Sequence, residues 1–74
     1  MKLKNREIRS KATFRKGIIT QVSDKSIWID FYYEQPIKLS FDKFLELVYC
    51  EKEVEEEIRK RYEIQNIQER TDEL

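Results

Sequence analysis

Side chains able to do covalent or proton-transfer chemistry are scarce in this chain of 74 residues, and their spacing excludes more than it offers. Histidine is absent, which removes a conventional catalytic triad and the side chain best suited to proton transfer near neutral pH. Cys50 is the single cysteine. Its apolar neighbours and the nearby Glu46, Glu51 and Glu53 disfavour a thiolate. It also lacks a partner for an intrachain disulfide or a structural zinc site. The carboxylates of EKEVEEE, residues 51 to 57, read as a solvated helical face rather than an acid/base or metal pair. One glycine cannot build a loop that cradles a phosphate. No metal, cofactor or small-molecule substrate is implied, and the chain is expected not to be an enzyme.

Two constellations suit binding instead. In SIWIDFYYE, residues 26 to 34, Ile27, Ile29, Phe31 and Tyr33 share one parity, as the buried face of a strand should. Trp28 and Tyr32 fall on the other parity, beside Asp30 and Glu34. Tyr and Trp are enriched at interface hot spots, so this pair is the first candidate for a protein contact. The same two rings would equally form a second small core if a helix lay across that face. The other constellation is basic: Arg9, Lys11, Arg15 and Lys16 can line one face of an early strand. Cations beside aromatic rings are the signature of a nucleic-acid surface.

Net charge is zero but unevenly laid out. Residues 1 to 16 hold seven Lys or Arg against one Glu, a net of +6. Residues 41 to 74 hold six basic and eleven acidic side chains, a net of −5. The asymmetry bears on partners more than the total does, and is equally met by a basic strand facing an acidic helix within one fold. The acidic last third and a pI near 6.3 count against a strong nucleic-acid binder. A chain this short forms a single domain, 1 to 74, and buries only about 60% of its unfolded surface. Oligomerisation or a partner protein is then the available support. The lone cysteine and the absence of an apolar leader after the basic opening lead to an expected cytoplasmic location without membrane association.

The elements that must position these residues are set by periodicity. Ile8, Ser10, Ala12 and Phe14 alternate with Arg9, Lys11, Thr13 and Arg15, which predicts a first strand with one cationic face. Gly17 suits a turn that needs positive φ. Ile18, Thr20 and Val22 alternate with Ile19 and Gln21 in a second strand, and Ser23 to Ser26 form a turn. The third strand covers 27 to 33. Pro36 ends it, and Ile37 to Leu39 form a short fourth strand. Ser40 is placed to N-cap a helix, with Asp42 in its first turn and Leu39 and Phe44 as a hydrophobic staple. That helix is predicted to about residue 49, with a bend at Cys50–Glu53, a second segment to about 63 and a frayed 64 to 74. Val54, Ile58 and Tyr62, four apart, share a stripe with Leu47 that would pack on the sheet, pair with a second copy or dock on another protein. The expected fold is α+β: about four short antiparallel strands over residues 8 to 39, then a bent helix or helical hairpin.

From Phe14 to Leu47 the order of features resembles small SH3-like β-barrel modules of the Tudor, KOW and CarD-like kind. Gly17-Ile18-Ile19 opens a strand, Ser23–Ser26 turns, and Ile27–Phe31 forms the next strand before a short strand and a helix. The resemblance implies binding of proteins or nucleic acids rather than catalysis. The Lys/Glu/Ile-rich makeup also looks like small regulators of bacteria and their phages, including inhibitors of host nucleic-acid machinery. The expected function is an interaction module acting by contact with a protein partner or a second copy, through Trp28 and Tyr32 first and Val54, Ile58 and Tyr62 second. The alternative is a nucleic-acid-binding barrel using Arg9, Lys11, Arg15 and Lys16 against phosphates, with Trp28 and Tyr32 stacking bases beside them.

Overall fold

The structure is a computed structural model and describes residues 2–32 and 34–72, with the backbone alone for 68–72. Five strands form one antiparallel sheet: β1 (Glu7–Ser10), β2 (Lys16–Val22), β3 (Ser26–Phe31), β4 (Ile37–Ser40) and β5 (Val48–Tyr49). Helix α1 (Phe41–Leu47) lies between β4 and β5, and α2 (Lys52–Asp72) comes after β5. Strand order across the sheet is β4-β3-β2-β1-β5, so a four-strand meander is extended by a short strand that returns to β1. The sheet curls into a half-barrel around one core.

The first predicted strand ends early. Ser10 is its last residue, and residues 11 to 15 turn the chain back into β2. Ser10 and Thr13 explain the stop. The Ser10 hydroxyl accepts from the Thr13 amide at 3.3 Å and the Thr13 hydroxyl accepts from the Arg15 amide at 3.2 Å, local bonds that compete with a ladder. Phe14 takes φ 59°. The positive φ expected of Gly17 therefore falls elsewhere, and Gly17 is an ordinary strand residue. Its smallness serves packing: a Cβ there would lie 2.8 Å from Phe31 Cδ1 and 3.0 Å from Ile8 Cδ1.

Register sorts the faces. Gly17 pairs with Phe31, Ile19 with Ile29 and Val22 with Ile27, while Gln21 pairs with Trp28. Thr20 is the extra residue of a bulge between Ile19 and Gln21, and its hydroxyl donates to the Trp28 carbonyl at 3.2 Å. One inserted residue reverses the parity of the rest of the strand. Val22 thus joins Ile19 on the inner face, and the expected grouping of Ile18, Thr20 and Val22 does not hold. Ile27, Ile29 and Phe31 do fill the interior. Tyr33, placed with them by parity, lies outside the described residues.

Helix α1 begins at Ser40 as expected, although the hydroxyl bonds the Asp42 carboxylate at 2.6 Å instead of a backbone amide. Phe41 and Phe44 are buried. The helix stops at Leu47 rather than 49, because Val48 and Tyr49 are extended and pair with Ser10 and Arg9. α2 then runs past residue 63 to Asp72. No glycine or proline interrupts it, and Glu55–Arg59 and Glu57–Arg61 are i,i+4 pairs with the acid leading, the favourable order. Residues 73 and 74 of the expected frayed tail lie outside the described residues. At 21 residues the helix is about 31 Å long. Val54 and Ile58 enter the core with Leu3, Ile8, Phe41, Phe44 and the β3 isoleucines, each worth about 1.5–3 kcal/mol against exposure. Among the described residues no helix is long and apolar enough to cross a membrane.

Candidate interaction surface

Inward placement of Ile27, Ile29 and Phe31 forces Trp28 and Asp30 outward on the same strand. Trp28 is half-buried. Lys38, its partner on β4, holds its ammonium 5.4 Å from the indole centroid and covers part of the ring. Tyr32 lies beyond the end of β3 and is 58% exposed. The two rings are four residues apart along an extended chain, roughly 13 Å, and the structure does not bring them together. α2 packs on the inner face, so it does not cover them as a second core.

Val54 and Ile58 are fully buried in the chain's own core, and Tyr62 packs against it half-buried. Folding therefore takes up Val54 and Ile58 and part of Tyr62, while Leu47, grouped with them by spacing, stays exposed. The spacing of four was read correctly, but which face the core would take depends on the break at residues 48 to 51, which rotates α2 relative to α1.

The four basic candidates gather around the β1–β2 hairpin. On the outer face Arg9 stands between Tyr49 of β5 and Lys16 of β2. Arg9 Nη1 donates to the Phe14 carbonyl at 3.0 Å. Lys16 Nζ is 2.7 Å from Glu7, whose carboxyl is held below its usual range chiefly by that hydrogen bond. Arg15 Nη1 pairs with Glu34 at 3.0 Å, tying the hairpin to the connection that carries Tyr32. Lys11 serves α1: its amide donates to the Leu47 carbonyl at 2.9 Å and its ammonium to the Leu45 carbonyl at 3.2 Å. Since α1 has no basic residue in its last turn, Lys11 supplies the positive charge that a helix C-terminus favours.

Periodicity missed the residues that complete this end of the molecule. Phe14 was assigned inward by an alternation that the turn interrupts; it is 62% exposed and stacks on Tyr49, with centroids 6.1 Å apart and planes inclined by 16°. Lys11 sits 5.3 Å from the Tyr49 centroid. On the opposite side of the hairpin a groove of about 230 Å³ opens between β4 and the end of α1. Phe31 and Val48 floor it, with Ala12, Leu39, Ile37 and Leu47 around them. Leu47 is 47% exposed and Ile37 is also open to solvent. A cluster of unlike apolar types on a turn, a strand and a helix end was the missed signal, visible only once the ends of β1 and α1 are known.

Cys50 is half-buried beside this region. Burial, with Glu55 adding to it, pushes its thiol up to about 11. Among the described residues no three metal-ligating side chains converge. No family model, curated protein or solved structure matches the chain.

Proposed function

We propose that the protein is a non-enzymatic interaction module that holds a partner protein by surface contact at the hairpin end of the half-barrel. The observation that carries this reading is the groove rimmed by Ile37 and Leu47, apolar side chains left in water beside the buried Phe31 and Val48. Its volume of about 230 Å³ is below the roughly 300–1,000 Å³ of sites for small molecules and cofactors. Such a groove suits one or two aliphatic side chains projecting from a protein. Tyr32 is exposed on the connection that carries Glu34, but its ring does not line the groove. Trp28, partly covered by Lys38, has the weaker case.

The β4 edge supports side-chain docking over extension of the sheet. Pro36 precedes it, Lys38 stands on it, and it has four residues, devices that discourage edge-to-edge pairing. A second copy is for the same reason the less favoured occupant. The strand order, with β1 paired to both β2 and β5, supports the SH3-like resemblance, whose members mostly bind other macromolecules.

Affinity capture with the wild-type chain and with Leu47→Asp, run side by side from cells that make the protein, tests the reading. Leu47 is half exposed, so circular dichroism should report an unchanged fold. A protein retained by the wild type and lost by Leu47→Asp is the expected result. Identical recovery with both baits, or recovery of the untagged chain alone, refutes it.

A further inference from the structure

The face of the sheet opposite the core carries a second feature that the groove does not use. Phe14 is a bulky side chain held at positive φ and in water, a conformation that ordinarily falls to Gly, Asn or Asp. The hairpin keeps it there with two bonds: its amide donates to the Ser10 carbonyl at 2.8 Å, and its carbonyl accepts from Arg9. Stacked with Tyr49, it presents an aromatic face whose neighbours are cations. Tyr49, Arg9 and Lys16 form a row across the outer face, and Lys11 stands over the Tyr49 ring.

We infer that the Phe14–Tyr49 pair, with Arg9, Lys11 and Lys16 around it, is a stacking site for the bases of a single-stranded nucleic acid. An exposed, near-parallel aromatic pair accepts the flat face of any base, and cations a few ångströms away meet the phosphates on either side. Arg9 has five N–H donors, so the one given to the Phe14 carbonyl leaves it able to contact a phosphate while it fixes the ring. The Lys16–Glu7 pair is exposed on both sides and of the kind that contributes little, so a phosphate can replace the carboxylate. The buried stripe of α2 lies on the other face of the sheet from these cations, although Glu51, two residues past Tyr49, reaches Arg6 beside β1 at 3.7 Å. Val54 and Ile58 hold α2 to the inner face with Ile27 and Ile29, whereas register puts Arg9, Lys16 and Tyr49 on the outer one. An acidic peptide would satisfy the cations but not the ring faces, which favours the nucleic acid. The assignment is independent of the partner groove on the other side of the hairpin.

Fluorescence anisotropy of a labelled oligothymidylate and of an RNA of equal length tests it, using the full chain, with a DNA duplex and polyglutamate as competitors. The wild type should bind both single strands at low salt and release them steeply as salt rises. Phe14→Ala should weaken binding about tenfold or more with an unchanged circular dichroism spectrum, and Phe14→Tyr should retain it. Neither competitor should displace the strand at equal charge concentration. Four results overturn the inference: no binding at low salt, full-strength binding by folded Phe14→Ala, equal competition by duplex, or equal competition by polyglutamate.

Discussion

Phe14 and Gly17 are three residues apart and make opposite demands on their backbone. A left-handed non-glycine residue costs roughly 1–2 kcal/mol, which the Phe14–Tyr49 stack offsets by about 0.5–1.5 kcal/mol. Replacing Phe14 with Asn, which tolerates this conformation, should therefore leave stability within about 1 kcal/mol of wild type. Chemical denaturation measures that, and a larger loss would show that the ring holds the hairpin together. At Gly17 the added methyl of Gly17→Ala meets the Phe31 ring at 2.8 Å in a packed interior. A cost of about 1–3 kcal/mol is expected, seen as a fall in melting temperature of about 4–8 °C per kcal/mol for a domain this size. Cys50 gives a third residue-scale expectation. Its folded thiol titrates at about 11, above its reference value of 9.0, so the native state holds its proton when the unfolded chain has lost it. Stability is thus undiminished below the unfolded value and falls as pH rises between the two. Iodoacetamide should label native Cys50 slowly at pH 8 and far faster in urea at the same pH; equal rates would contradict the burial.

At the scale of elements, α2 carries the clearest dependence. Ile58 is fully buried where the helix meets the core, so Ile58→Ala should cost about 2–5 kcal/mol, a large share of what a small domain has. A loss under about 1 kcal/mol in urea titration would mean that the helix is not docked in solution. Much of this level was legible in the sequence. The alternation of Ile27, Ile29 and Phe31, the proline before β4 and the signals at Ser40 to Phe44 each name a local preference that the fold keeps. Three features were not legible, and each has a physical reason. The Thr20 bulge is a choice of register between two strands and leaves little trace in either one. Strand β5 has two residues, too few for a period to register. The end of β1 was masked because Ala12 and Phe14 continue its alternation while side-chain bonds from Ser10 and Thr13 turn the backbone. The candidate surface followed suit: the basic residues grouped by spacing do gather around one hairpin, whereas the Phe14–Tyr49 stack depends on those two strand ends.

For the whole molecule, the uneven charge of the chain meets partners of opposite sign within the fold, as at Arg6–Glu51 and Arg15–Glu34. α2 docks on the inner side of the sheet through Val54 and Ile58, while Arg9 and Lys16 stand on the outer side with Glu7 beside them. Ion pairs within each region, such as Lys16–Glu7, are exposed and add little at physiological salt. Two carboxyls nevertheless titrate low, Glu7 through its bond to Lys16 and Asp42 through its bond from the Ser40 hydroxyl. For depressed carboxyls, the contribution is complete above the unfolded values of 4.5 and 3.8 and is lost as pH falls through the lower folded ones. The melting temperature should accordingly be level from neutral pH to the top of the carboxylate range and decline below it. A decline that begins near neutrality would point to other groups.

The short β5 also bears on the order in which the protein forms. Every other strand pairing joins neighbours in the meander, but Arg9 and Tyr49 meet across forty residues of chain. That contact closes a large loop for the return of two ladder positions. The meander and its hairpins can assemble by local search, and the seal between β1 and β5 comes late. The same seal is the cheapest to reopen. In native-state hydrogen exchange, amides at the β1–β5 junction should lose protection before those between β2 and β3, and the surface built around Tyr49 should come and go with them.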